Sequence, residues 1–222
     1  FTFPLTTVMS GSKGIQINFF ASGSYGVTTP GKQKMKVIQE TNYPESGKIR
    51  ITLQLEKQEN LQVSVRIPAW SAESTLLVNG VPFPVEAGKA AVIQRLWKTA
   101  DQIELSLDMR GRLIQTGASP ESYAIMRGPV LLSRDERFSP PGLDAVLQPV
   151  AGKNGFVELQ ASDQKKAGCW MTFTGSFIPE SYAEKGGDPV PVMLCDYASA
   201  GYASEGLPFF KVWFPQLFDP RK

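Results

Sequence analysis

The stretch "NLQVSVRIPAW", residues 60–70, decides the fold. Leu61, Val63, Val65 and Ile67 fall on one side of an extended chain, and Gln62, Ser64 and Arg66 fall on the other. That two-residue period belongs to a strand with one buried face. Pro68 has no N–H to give a ladder, so the strand stops there or runs along an edge. Trp70 is then free to cover a sheet end or a neighbouring domain. Arg66 shares the outward face and is placed to pair at a domain boundary rather than to hold a substrate.

The same alternation recurs on both sides of this stretch. In "KIRITLQLE" Ile49, Ile51, Leu53 and Leu55 share a face, and in "DQIELSLD" Ile103, Leu105 and Leu107 do so. One apolar face and one polar face mark a half-buried antiparallel sheet. Turn-forming clusters separate the runs: "YPESGK" before Ile49, "KQEN" before Leu61, "VNGVP" around Gly80 and "EAGKA" around Gly88. No helical period is sustained. The expectation is therefore an all-β fold of two antiparallel β-sandwich domains without substantial helix. The first covers residues 1–108 and the second, with long loops, covers 109–222.

Composition narrows the function classes. The chain has 222 residues, 42% of them hydrophobic and 20% charged, which is a globular balance. Its 23 basic and 21 acidic residues are spread along the chain, so nucleic acid is not an expected partner. No apolar run approaches the length of a membrane helix, so a membrane is not expected either. The chain begins at Phe1 without an initiator Met or a leader, as a processed protein or an excised fragment would. Histidine is absent, which removes the most common general base and the usual partner of Ser and Cys nucleophiles. The two cysteines, Cys169 and Cys195, lack zinc spacing. Two buried thiols or a disulfide between neighbouring strands are both open to them.

The remaining chemistry is carboxylates and aromatics. A glycosidase needs two facing acids, one of them kept protonated by apolar surroundings. Asp135 with Glu136, Asp196 beside Tyr197, and Glu180 with Asp188 are the candidates, and none has a context that sets it apart from a turn cap or a solvated acid. No catalytic residue is assigned. Trp70 and Trp97, at a strand end and before a turn, are the expected exposed rings and hence the candidate sugar-binding residues. Trp170 and Trp213 are expected to pack in a core or an interface.

The series "QETNYPESGKIRI", "VSVRIPAW", "LLVNG", "VIQRLWKTADQIELSLDM" and "YAIMRGPVLLS" resembles the region that follows the catalytic domain in glycoside hydrolase family 127, the bacterial β-L-arabinofuranosidases. The resemblance covers residues 14 to about 134 and continues more weakly through "MLCDYASAGYASEGLPFFKVWFP". One departure is Ala100-Asp101, where the family usually writes Gly-Asp. The resemblance implies a non-catalytic C-terminal β-sandwich portion whose partner is an N-terminal (α/α)6 catalytic barrel. Arg66, Trp70 and Phe83 are then candidates for the interface with that barrel. A carbohydrate-binding module for plant-type glycans, using Trp70 or Trp97, is the alternative. In such enzymes cysteines and a glutamate of the barrel hold a zinc. Cys169 and Cys195 match neither their spacing nor their context, so no cofactor is expected in this chain. The resemblance also implies a periplasmic or secreted bacterial protein, and a last strand at about 209–214 that returns to the first sandwich and closes its open edge.

Overall fold

The alternating runs become strands because each can bury its apolar side against a facing sheet. In the computed structural model the described residues are 6–116, 119–138, 140–152, 155–162, 168–180, 188–202, 206 and 208–216. They divide into two compact units between Met109 and Arg110. Among the described residues the only helical positions are Thr6 and Thr7 and two short 3-10 turns, and no helix is long and apolar enough to cross a membrane.

The described residues of the first unit form ten strands: β1 (Val8–Ser10), β2 (Gly14–Ile17), β3 (Gly23–Thr28), β4 (Lys34–Thr41), β5 (Lys48–Leu55), β6 (Glu59–Arg66), β7 (Thr75–Val78), β8 (Val81–Phe83), β9 (Ala90–Trp97) and β10 (Gln102–Ser106). They form a four-stranded sheet in the order β1-β2-β6-β9 and a six-stranded sheet in the order β3-β4-β5-β10-β7-β8. Ile15, Leu61, Val63, Val65 and Ile93 of the smaller sheet share one apolar core with Met35, Ile51, Leu53, Leu76 and Ile103 of the larger, which makes a sandwich. One pair departs from the antiparallel expectation: β2 runs parallel to β6. A parallel partner needs a crossover, and here β3 to β5 supply it through the opposite sheet. The pairing is close enough that a Cβ on Gly14 would stand 1.8 Å from the Gln62 carbonyl oxygen, so only glycine fits.

The β6 ladder ends as Pro68 dictates. Ile67 still donates to the Lys89 carbonyl at 3.0 Å, and the chain then turns. Since β6 lies between β2 and β9, the proline terminates a central strand and does not mark an edge. The β7–β8 hairpin turns on Asn79 and Gly80, both left-handed (φ 49° and 78°), the two-residue turn that matches strand twist.

The described residues of the second unit form nine strands: β11 (Gly111–Thr116), β12 (Ser119–Arg127), β13 (Val130–Asp135), β14 (Leu147–Pro149), β15 (Leu159–Ala161), β16 (Thr172–Pro179), β17 (Val190–Asp196), β18 (Phe210–Lys211) and β19 (Phe214–Pro215). They form one antiparallel network, β11-β12-β13-β17-β16-β14, with β15 on β16. Val157 bridges Gly111 on one margin and Ala151 beyond β14 on the other, so the sheet curls back on itself. Tyr123, Ile125, Leu132, Phe173, Phe177 and Phe214 fill the inside.

The segment 209–214 does not return to the first sandwich. Phe210–Lys211 pairs with Arg134 and Asp135 of β13, and Phe214–Pro215 pairs with Ser122 and Tyr123 of β12. β13 loses β17 as its partner after Ser133, so its outer half needs a strand of its own, and β18 is the nearest in the same unit.

Candidate functional site

The run "SRDER", Ser133–Arg137, leaves β13 with charged residues where alternation would place one apolar and one wet side. Arg134 and Asp135 are both buried. Each is satisfied by its own set of partners, which is the condition for burying a charge.

Arg134 organises the loop after β13. Its Nη1 donates to the Leu143 and Ala145 carbonyls at 3.1 and 2.7 Å, and its Nη2 donates to those of Pro141 and Gly142. Burial pulls its pKa below the usual value, and Tyr123 and Asp144 work against that. The loop it holds forms one wall of a cleft of ≈ 380 Å³, lined by Glu136, Gly142, Leu143, Asp144, Phe209, Phe210 and Lys211. Lys211 meets Asp144 across it at 2.5 Å.

Asp135 works on the other side. Its Oδ1 accepts from the Arg137 backbone N–H at 2.9 Å and from Nε at 2.8 Å. Its Oδ2 accepts from Arg137 Nη2 at 2.7 Å and from Gly201 N–H at 2.8 Å. Burial alone would raise this carboxyl, but the Arg137 and Gly201 donors outweigh it and hold it below the ordinary value. Arg137 in turn donates to the carbonyls of Ser199, at 2.9 Å, and Tyr202. Asp196 caps the 3-10 turn Tyr197–Ser199: its Oδ2 accepts from Ser199 N–H at 3.0 Å, and its Oδ1 accepts from Met171 N–H at 2.8 Å and Ser199 Oγ at 2.5 Å.

These two clusters hold a group of aromatic rings in solvent. Tyr197 and Phe210 meet edge to face at 5.9 Å. Tyr202 packs over Gly168, and Phe209, 75% exposed, borders the cleft. Trp170 and Trp213, expected in a core or interface, are 47% and 45% exposed. Trp170 lies in the turn before β16, and Trp213 lies between β18 and β19, so neither occupies a strand position that faces inward.

The residues singled out in the sequence lie elsewhere. Trp97 is fully buried in the first unit, with its Nε1–H donating to the Leu61 carbonyl at 3.2 Å, so it offers no face to a sugar. Trp70 and Phe83 are half-buried against their own unit's core. Arg66 is exposed and lies 5.9 Å from the Phe19 ring centre. Asp135 is buried and Glu136 exposed, Asp196 is committed to its cap, and Asp188 is exposed. Among the described residues no group of three or more His, Cys, Asp or Glu side chains converges as a metal site needs. One signal for the exposed rings was legible: "DYASAGYASEGLPFFKVWF" interleaves aromatics with glycines, Gly201 and Gly206 are left-handed, and Tyr197, Tyr202, Phe209 and Trp213 fall outside the strands.

The fold defines a class, an all-β chain of largely antiparallel sheets. Residues 14–109 match the family model described as beta-L-arabinofuranosidase, GH127 middle domain. No curated protein matches the chain. Among solved structures, a GH127 beta-L-arabinofuranosidase from Geobacillus stearothermophilus T6 is similar at 22% identity and TM-score 0.78, over 96% of this chain and 35% of that one. A protein described as a glycoside hydrolase is similar at 23% identity and TM-score 0.76, over 93% and 36%. A GH127 beta-arabinofuranosidase follows at 21% and 0.71, over 91% and 34%. The likeness thus extends through both units as a fold, and the chain spans about a third of the solved chains it matches.

Proposed function

We propose that the chain is the non-catalytic C-terminal β-sandwich portion of a β-L-arabinofuranosidase-like glycoside hydrolase, and that it supports and packs on an N-terminal (α/α)6 catalytic barrel. The observation that carries this reading is the middle-domain match over residues 14–109. The commitment of Asp135 and Asp196 to structural donors supports it, because a general acid or base needs a free carboxyl near its substrate. In this reading the zinc, its cysteine and glutamate ligands and the nucleophile belong to the barrel, and the enzyme works in the periplasm or outside the cell. The apolar surface available for packing includes Val92 and Leu96 on the outer side of β9, about half exposed, rather than Trp70 and Phe83.

The test is to produce the chain and a GH127 catalytic barrel separately. The chain alone should not turn over aryl β-L-arabinofuranosides, and adding it should bind the barrel and raise its thermal stability. Turnover by the chain alone would overturn the reading. A second reading, a carbohydrate-binding module, is favoured by the rings around Phe209 and not by Trp70 or Trp97. Titration with arabinose-containing oligosaccharides should then show binding that Phe209→Ala abolishes, and no binding at millimolar concentration removes this alternative.

A further inference from the structure

Both cysteines of the chain lie in the second unit, and neither belongs to the hydrogen-bond networks described above. Cys195, on β17, is buried between Ser133 of β13 and Thr172 of β16. Cys169 lies three residues before Thr172 and is partly exposed. Three backbone contacts fold its segment onto the end of β17. Met171 N–H donates to Asp196 Oδ1 at 2.8 Å, Asp196 N–H to the Met171 carbonyl at 3.1 Å, and Trp170 N–H to Ser199 Oγ at 3.2 Å. They set the segment that carries Cys169 beside the end of β17 that carries Cys195, where each thiol lies within the other's electrostatic reach. Both thiols are free.

We propose that Cys169 and Cys195 are a disulfide-forming pair, a modification site at which an external disulfide converts two neighbouring thiols into a bond that ties the entrance of β16 to β17. Access sets the order of events. The exposed partner, Cys169, attacks one sulfur of the external disulfide as its thiolate; a mixed S–S bond forms and one external thiolate leaves. Cys195, deprotonated in turn, attacks the Cys169 sulfur, the internal S–S bond forms and the second external thiolate leaves. The external disulfide is reduced to two thiols, which take up the two protons the cysteines gave. Burial raises the pKa of both thiols, Asp135 and Asp196 add to that, and Arg137 opposes it. Exchange is therefore slow near neutral pH and quickens as the pH rises. Closing the loop between the two cysteines restricts the unfolded chain and steadies the turn that carries Trp170.

The experiment uses the whole chain, reduced and freed of reductant, with oxidised glutathione. One sample is folded and one is in guanidinium chloride, which shows that the reagent is competent. The folded protein should end as a monomer lighter by two hydrogen atoms. Its peptide map should link Cys169 to Cys195, and its Tm should lie several degrees above that of the reduced form. Cys195→Ser should stop at a glutathione adduct on Cys169, while Cys169→Ser should react far more slowly. The proposal is overturned by a wild-type protein that stops at the adduct, keeps both thiols free, links two chains, or melts lower once linked.

Discussion

The two units solve one problem in different ways. In the first, strands such as β5 and β6 bury one apolar face and leave the other to polar residues, and the core follows the alternation position by position. In the second, β13 is buried on both faces beyond Leu131, and Arg134 and Asp135 take places that solvent or apolar residues would otherwise hold. Hydrophobic burial is non-directional and tolerates many sequences of the right pattern. A buried charge is directional and needs every partner in place. The units should therefore fail differently when altered.

The largest effect is expected where the first unit relies on packing. Leu53→Ala leaves a cavity among facing strands and should cost roughly 4 kcal/mol in urea unfolding, while the second unit's transition stays unmoved. Asp135→Ala should cost about 3 kcal/mol in the second unit, because it strips Arg137 and the Gly201 N–H of their acceptor without opening a comparable void. Restoring Asp135→Asn should recover part of that loss. If Asp135→Ala unfolds no more easily than wild type, the charged cluster is decoration and the contrast between the units collapses.

This contrast also explains what could be read in the sequence. The strands around Ile49–Leu55, Leu61–Ile67 and Ile103–Leu107 were legible because one face is dry and the other wet. The aromatic residues were not, since a ring's place depends on what its neighbours bond. Trp97 precedes a turn, yet its N–H finds the Leu61 carbonyl and the ring is covered. Trp170 sits among strand-forming residues, yet the Asp196–Ser199 cap holds its backbone in a turn and the ring is left outside. The candidate surface depends on such side-chain-to-backbone bonds between residues far apart in sequence, which a local pattern cannot carry. Its glycines gave the one hint.

Acid should sharpen the comparison at lower cost. The carboxyls of Asp135 and, in the first unit, Glu59 are held below their ordinary values in the fold. Burial works against both; Arg137 and Gly201 offset it at Asp135, and Thr29, Gln33 and Gly31 offset it at Glu59. Such a group adds stability that is fully present above its unfolded pKa and is lost as the pH falls through its folded one, so losses begin below about pH 4. Asp135 is buried and holds four donor contacts, so the second unit should open first. Pepsin digestion at stepped pH would show it, with early cuts beyond Arg110. Early cuts confined to the first unit would reverse the assignment.

The smallest expected effect is a gain, and it comes from a position where the two units cannot be confused. Ala100 has φ 68°, left-handed, in the turn between β9 and β10. The turn is fixed on both sides. Ala100 N–H donates to the Leu53 carbonyl at 2.8 Å, and the buried Asp101 carboxylate accepts from Lys98 N–H at 3.1 Å and Asn79 Nδ2 at 2.9 Å. The backbone therefore cannot relax to suit alanine, whose Cβ is crowded in this region. Glycine removes that crowding but gives the unfolded chain more freedom, which offsets part of the benefit. Ala100→Gly should thus stabilise the first unit by roughly 0.5–1 kcal/mol, seen as a higher urea midpoint at unchanged slope, with no change in the second. A loss of stability would mean that the turn is not strained.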